Sequence, residues 1–126
     1  MVAPIVHWHL FSDEAGDTHL AKVDIALATV DFAPPAPPMG ASEAIGATAY
    51  TWLRVPEDWQ DTAHPSPSRQ LLVMLSGKIL VTVSDGTSAT ITAGDCMLLD
   101  DVGSRGHAAE TVDGEATVLM VALSQN

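Results

Sequence analysis

The chain has 126 residues, enough for one domain around one core. Hydrophobic residues make up 47% and the mean hydropathy is positive, which excludes global disorder, and no uninterrupted run of about 18 apolar residues is present to cross a membrane as a helix. The formal net charge is −11 with only five basic residues, Lys22, Arg54, Arg69, Lys78 and Arg105, so nucleic acid and anionic membranes are excluded as expected partners and the acidity serves solubility.

Met1 to Phe11 carries His7 and His9 but no Lys or Arg. It lacks the basic start and clean apolar stretch of a secretory leader, so the expected location is cytoplasmic and the expected chain unprocessed. His7 and His9 alternate around Trp8, which on a strand puts both on one face. Nothing close in sequence completes a metal site there, and an edge strand or a dimer contact is the favoured reading. His19 follows a Gly16-Asp17 turn and is expected at a strand start. From Leu20 to Phe32, Val23, Ile25 and Leu27 alternate with Lys22, Asp24 and Ala26, the period of a half-buried strand. Ala33-Pro34-Pro35-Ala36-Pro37-Pro38 is stiff, poor in backbone donors, and reads as a surface connection.

From Ala44 to Val55, Ile45, Ala47, Ala49, Thr51, Leu53 and Val55 share one strand face, and Tyr50, Trp52 and Arg54 the other. Leu71 to Leu75 is a short apolar run ending at Ser76-Gly77, and Lys78 to Ser84 reads as a separate strand. Asp85-Gly86 signals a hairpin back to Thr87–Thr92, Ala93-Gly94-Asp95 a further turn, and Cys96 to Leu99 another strand. Asp113-Gly114 signals a second hairpin before a last strand from Ala116 to Leu123. Cys96 is the only cysteine, so no intrachain disulfide forms; its apolar surroundings predict a buried core thiol. No segment carries an apolar stripe of helical period, and many short strands with regular turns predict a closed sheet, a sandwich or barrel.

The stretch from His64 to His107 resembles the two short motifs of the cupin superfamily. The first motif reads Gly, five residues, His-any-His, three or four residues, Glu, six residues, Gly. Counted back from Gly77, Gln70 stands at the Glu position, Ser66 at the second His and His64 at the first, with Asp58 in place of the opening Gly. The second motif opens at Gly94-Asp95; Asp100 replaces its Pro, Gly103 lies one position late, Arg105 stands at the His position, and His107 follows two residues later. The segments around Gly16–His19, Phe32–Pro38, His64–Leu71, Val83–Gly86 and Gly106-His107 are similar to a group of small bacterial cupins. The resemblance implies an all-β, single-domain, cupin-type (jelly-roll) β-barrel over residues 1–126. It does not imply one reaction, because cupins include dioxygenases, isomerases, epimerases, lyases, cyclases and binders without activity.

By this resemblance a working metal site takes two His and the Glu of the first motif and the His of the second. Here Ser66 and Gln70 are neutral substitutes and His107 is displaced, so no cofactor is expected. If a divalent metal is held, His64, Gln70 and His107 are its ligands. Without metal, His64 is the leading proton carrier, Gln70 the orienter and His107 its partner. Alternatives set His64 as a loop cap before Pro65 and His107 as a surface residue. Tyr50, Trp52, Trp59 and Ser66 are candidates for substrate contact; Tyr50 and Trp52 serve equally as outer core or dimer interface, and Trp59 as a lid. Arg69, beside Gln70, is expected to face away from the cavity. Asp100 and Asp101 point to opposite strand faces and read as a solvated turn, with one of them in reach of His107.

The expected function is therefore a cupin that binds a small organic molecule and performs metal-independent acid–base chemistry on it, such as isomerisation, elimination or cyclisation. A metal-dependent oxygenase or isomerase with an incomplete ligand set is one alternative, a ligand-binding module without catalysis another. A homodimer is the expected assembly.

Overall fold

The alternating pattern produces strands throughout. The structure, a computed structural model describing residues 2–125, contains nine strands and no helix among those residues. No helix long and apolar enough to cross a membrane is present among them. In chain order the strands are β1 (Ile5–Ser12), β2 (Thr18–Ile25), β3 (Ala28–Val30), β4 (Met39–Ala41), β5 (Ala47–Val55), β6 (Gln70–Val83), β7 (Ser88–Thr92), β8 (Cys96–Asp100) and β9 (His107–Leu123). The main sheet runs β2-β1-β8-β6-β9-β5, with β7 added on β6, while β3 and β4 pair separately across the proline-rich connection. The β1–β8 pair is parallel and the others antiparallel.

Two long strands organise the site. The first part of β6, Gln70–Val73, pairs with β8, and the last part, Lys78–Thr82, pairs with β7. Strand β9 pairs with β6 along both parts. The ladder is irregular where they meet: Ser76 faces Thr117 and Lys78 faces Val112, so Asp113 to Ala116 bulge out opposite Gly77. Gly77 has φ of 78°, and a Cβ there would lie 2.4 Å from the Glu115 carbonyl oxygen. Only glycine fits, and the ribbon bends at this point. The bend sets the two halves of the sheet facing each other as a jelly-roll-like sandwich. Its core is formed by side chains from both, including Leu10, Met74, Ile79, Ile91, Met97 and Val118.

The all-β, jelly-roll character agrees with the sequence reading, but the strand ladder stays open between β2 and β5. Several local expectations are corrected. The break at Ser76-Gly77 and the hairpin at Asp113-Gly114 are both bulges inside continuous strands, because turn-forming dipeptides on two long partners absorb the same bend. The stretch from Leu20 to Phe32 is two strands rather than one, and Val23 is exposed because β2 is an edge. His7 and His9 lie on an interior strand, since β1 is flanked by β2 and β8. Cys96 is only half-buried; that burial, with Asp95 nearby, pushes its thiol pKa up. The Asp85-Gly86 hairpin and the Ala93-Gly94-Asp95 turn are as expected.

Candidate functional site

At the end of the sandwich opposite the Gly77 bend, a cavity of about 430 Å³ opens between the sheet halves. Apolar side chains of both halves, such as Val55, Leu72, Ile79, Val81 and Val118, form its walls, and Trp59 borders it. Its polar groups are Asp61, His64, Ser66, Gln70 and His107. Gln70 begins β6 and His107 begins β9 opposite Val83, so the two far ends of the bent ribbon bring them to one mouth.

His107 is held by a backbone frame. The segment before β6 and the start of β9 exchange two hydrogen bonds, His64 N–H to His107 O and His107 N–H to His64 O, each 3.0 Å. That approach demands Gly106, which has φ of 79° and whose added Cβ would stand 2.0 Å from the His64 carbonyl carbon. Buried Thr18 donates its hydroxyl to the Gly106 carbonyl at 2.7 Å and exchanges hydrogen bonds with Ser84. Arg105 adds an ion pair to Asp17 and a backbone bond to Gly16.

Within this frame His107 is 8% exposed, and its Nδ1 lies 2.7 Å from Oδ2 of Asp101, which is fully buried. Burial acts to raise the Asp101 carboxyl, but the hydrogen bond from His107, the adjacent Ser66 and the His107 charge outweigh it and hold it below the ordinary carboxylate value. Asp101 is therefore a carboxylate, an acceptor only, and the His107 hydrogen sits on Nδ1. When His107 is uncharged, this leaves the lone pair on Nε2, the arrangement in which a carboxylate fixes the tautomer of a catalytic base. Ser66 is 3% exposed; its Oγ and Asp101 Oδ1 are both buried without a well-formed hydrogen bond.

His64 sits 5.4 Å from His107, ring centre to ring centre. Its Nδ1 is 3.0 Å from the Pro65 carbonyl and its Nε2 is 2.9 Å from Asp61 Oδ2. Both partners are acceptors, so both bonds form only when each ring nitrogen carries hydrogen, the imidazolium state. The Pro65 carbonyl and the Asp61 carboxylate accordingly raise its pKa above the usual histidine value, with burial opposing. Asp61 is itself fixed by the Ala109 N–H at 2.7 Å on Oδ1.

The structure thus brings His64, Ser66, Gln70, Trp59 and His107 to one cavity. Tyr50 and Trp52 do not join them. They are 67% and 65% exposed on the outer face of β5, edge to face with each other and opposite Val121 and Leu119 of β9. Strand alternation puts Leu53 and Val55 on the cavity side instead. The two histidines differ in setting. His107 is buried and oriented by a carboxylate, while the His64 side chain is 51% exposed with both nitrogens engaged. Asp101 is no solvated turn residue, whereas Asp100 does face outward, 3.1 Å from His9 Nε2 and 3.4 Å from Arg69 Nε. Arg69 points away from the cavity, as strand alternation requires. Asp61 was not legible as a site residue; its one signal is the Asp61–His64 spacing of three.

No three His, Cys, Asp or Glu side chains converge as a metal site among the described residues. His64 has no free lone pair in the state its partners demand, which leaves one imidazole nitrogen with neutral Gln70 and Ser66. That donor set does not fit a tightly held divalent ion.

No family model matches the sequence, and no curated protein does. Among solved structures, a conserved protein of unknown function from Streptococcus pyogenes is similar over 61% of this chain, at 17% identity and a TM-score of 0.49. This chain covers 64% of that protein's length. A candidate ethanolamine utilization protein from Salmonella typhimurium is similar over 99% of this chain and 100% of its own, at 15% identity and a TM-score of 0.45. A cupin domain from Schizosaccharomyces pombe is similar over 98% of this chain and 86% of its own, at 15% identity and a TM-score of 0.46.

Proposed function

We propose that the protein binds a small organic molecule in the cavity between its sheet halves and moves a proton on it without a metal, with His107 as the base. The observation that carries this reading is the buried Asp101–His107 pair at the cavity mouth, 2.7 Å apart. Nε2 of His107 takes the proton, and Asp101 acts as a positioning residue that fixes the tautomer and stabilises the imidazolium as it forms. Fixed 5.4 Å away, the His64 imidazolium supplies positive charge toward which negative charge on the substrate develops. Gln70, unpartnered among the described residues, orients a polar substrate atom. The cytoplasmic location and the homodimer expected from the sequence belong to the same reading, with the exposed Tyr50–Trp52 face as the dimer contact.

The test is nitrogen NMR of the histidine side chains combined with a small-molecule screen. His107 is expected as the Nδ1–H tautomer near neutral pH, and Asp101→Asn is expected to abolish that preference while the backbone spectrum stays folded. Cavity ligands are expected to shift the His107 and Gln70 signals. A His107 ring carrying its hydrogen on Nε2, or ligands that perturb only the Tyr50–Trp52 face, refutes the assignment.

A further inference from the structure

The charges around the cavity say what kind of molecule it takes. None of the five Lys and Arg side chains serves it. Lys22 lies over the Trp8 ring at 5.0 Å, Arg69, Lys78 and Arg105 pair with Asp100, Asp113 and Asp17, and none of the four lines the cavity. Arg54 borders the rim, but its guanidinium is 3.4 Å from Glu115 and its strand position shares the outer face of Tyr50 and Trp52. The ionised groups at the mouth are His64, positive, and Asp61 and Asp101, both negative, in a chain of net charge −11. A phosphate or carboxylate finds no free cation there and meets a net negative field.

A cationic head is no better served. Both oxygens of Asp61 are taken, by His64 and by the Ala109 N–H. One oxygen of Asp101 holds His107, and the other is sealed within a fully buried side chain. The His64 imidazolium repels a second cation. The polar groups left over are the Gln70 amide, free to donate, and the His107 Nε2, which accepts a proton; the Ser66 hydroxyl is as buried as Asp101 Oδ1. Apolar walls surround them.

Resting on the proton-transfer reading above, we infer that the ligand is an uncharged carbonyl compound with a compact apolar body. Its oxygen accepts a hydrogen bond from Gln70, and its α-carbon faces His107. In the reaction the α-C–H bond breaks and its proton moves to His107 Nε2. The C–H electron pair becomes the C=C bond of an enolate, and the carbonyl π pair moves onto the oxygen held by Gln70. His107 then returns the proton to the same carbon or to a conjugated one. Nothing is oxidised or reduced and no co-reactant is consumed.

The experiment uses the full chain and three probes that share a bicyclic body: 2-tetralone, 2-naphthoate and protonated 2-aminotetralin. Binding is read by chemical-shift perturbation, and α-proton exchange of 2-tetralone in deuterated buffer by NMR. The ketone is expected to bind at the His107 end of the cavity at least tenfold more tightly than either charged probe, because an unpaired charge entering an apolar site is costly. The protein is expected to accelerate its exchange, and His107→Gln to remove about a hundredfold of that acceleration. Gln70→Leu is expected to lower it at least tenfold, as loss of an oxyanion donor does. If 2-naphthoate or the amine binds more tightly than the ketone, or the ketone does not bind, the ligand class is wrong, whatever His107 does. If the ketone binds in the cavity and His107→Gln exchanges it as fast as wild type, the ligand class stands and the proton-transfer reading falls. The binding comparison needs only the wild-type chain, so it does not depend on a variant folding.

Discussion

Replacing Gly106 by alanine tests the backbone frame that holds His107. The new Cβ would sit 2.0 Å from the His64 carbonyl carbon, 2.2 Å from its oxygen and 2.4 Å from the Pro65 nitrogen, all backbone atoms that no rotamer change can move. The chain must separate there, and the paired His64–His107 backbone bonds at 3.0 Å are the first to be lost. Two net hydrogen bonds are worth about 1 kcal/mol each. Holding an L-residue at the left-handed φ of 79° adds about 1–2 kcal/mol. The expected loss is therefore about 3–4 kcal/mol, a large share of the ~5–15 kcal/mol that a domain of this kind has. Gly103 supplies the control. It has φ of 71° in the same loop but nothing within 4 Å of an added Cβ, so Gly103→Ala is expected to cost only the conformational part, about 1–2 kcal/mol. Urea unfolding of the three proteins measures both, with the m-value checked for constancy. Equal losses for the two variants would refute the argument that close approach at Gly106 holds the site together.

Two predictions concern pH. The folded-state pKa of Asp101 is lowered, so the stability it contributes is present above the unfolded carboxylate value and is lost as pH falls through the folded one. Asp101→Asn is expected to destabilise the protein by about 1–3 kcal/mol at pH 7, the usual range for disturbing a buried hydrogen-bonded group, and the gap from wild type is expected to close in acid; urea midpoints from pH 7 down to pH 2.5 measure it. His19 bridges Asp13 at 2.7 Å and Asp85 at 2.8 Å, tying the β1–β2 turn to the β6–β7 turn, and these bonds raise its pKa. Its contribution is full below the unfolded histidine value of about 6.5 and disappears as pH rises through the folded value. Thermal unfolding of His19→Gln against wild type between pH 5 and 8.5 is expected to show the largest difference at pH 5; a difference that grows with pH contradicts the bridge.

Strand positions were legible where alternation is strict and partners are close in sequence, as in the Asp85-Gly86 hairpin and β8. Continuity was not. Ser76-Gly77 read as a strand end and Asp113-Gly114 as a hairpin, because local sequence cannot show that two bulges lie opposite each other on partners nearly forty residues apart. The cavity residues His64, Ser66 and Gln70 followed from the resemblance to the first cupin motif, and Trp59 from its place in the loop before His64. Of the two carboxylates that partner the histidines, Asp61 did not follow, and Asp101 only as one of the pair Asp100 and Asp101 in reach of His107. Asp101 reaches His107 across a loop whose path is set by Thr18, Gly106 and Arg105, contacts made far away in the chain. Tyr50 and Trp52 illustrate a complementary failure. Alternation separated the two faces of β5 correctly but could not tell which faces inward, because the small residues on the cavity side leave the aromatic side looking like the core.

The bent β6–β9 ribbon couples the halves of the sandwich mechanically. Because the same two strands supply hydrogen bonds on both sides of the Gly77 bend, neither half can fray without tearing the ladder it shares with the other. Amide protons of β6 and β9 at opposite ends of the molecule should therefore exchange with deuterium at closely similar slow rates, as one cooperative unit. The cavity is open at its mouth, so a small molecule can enter it while the β6–β9 ladder stays intact.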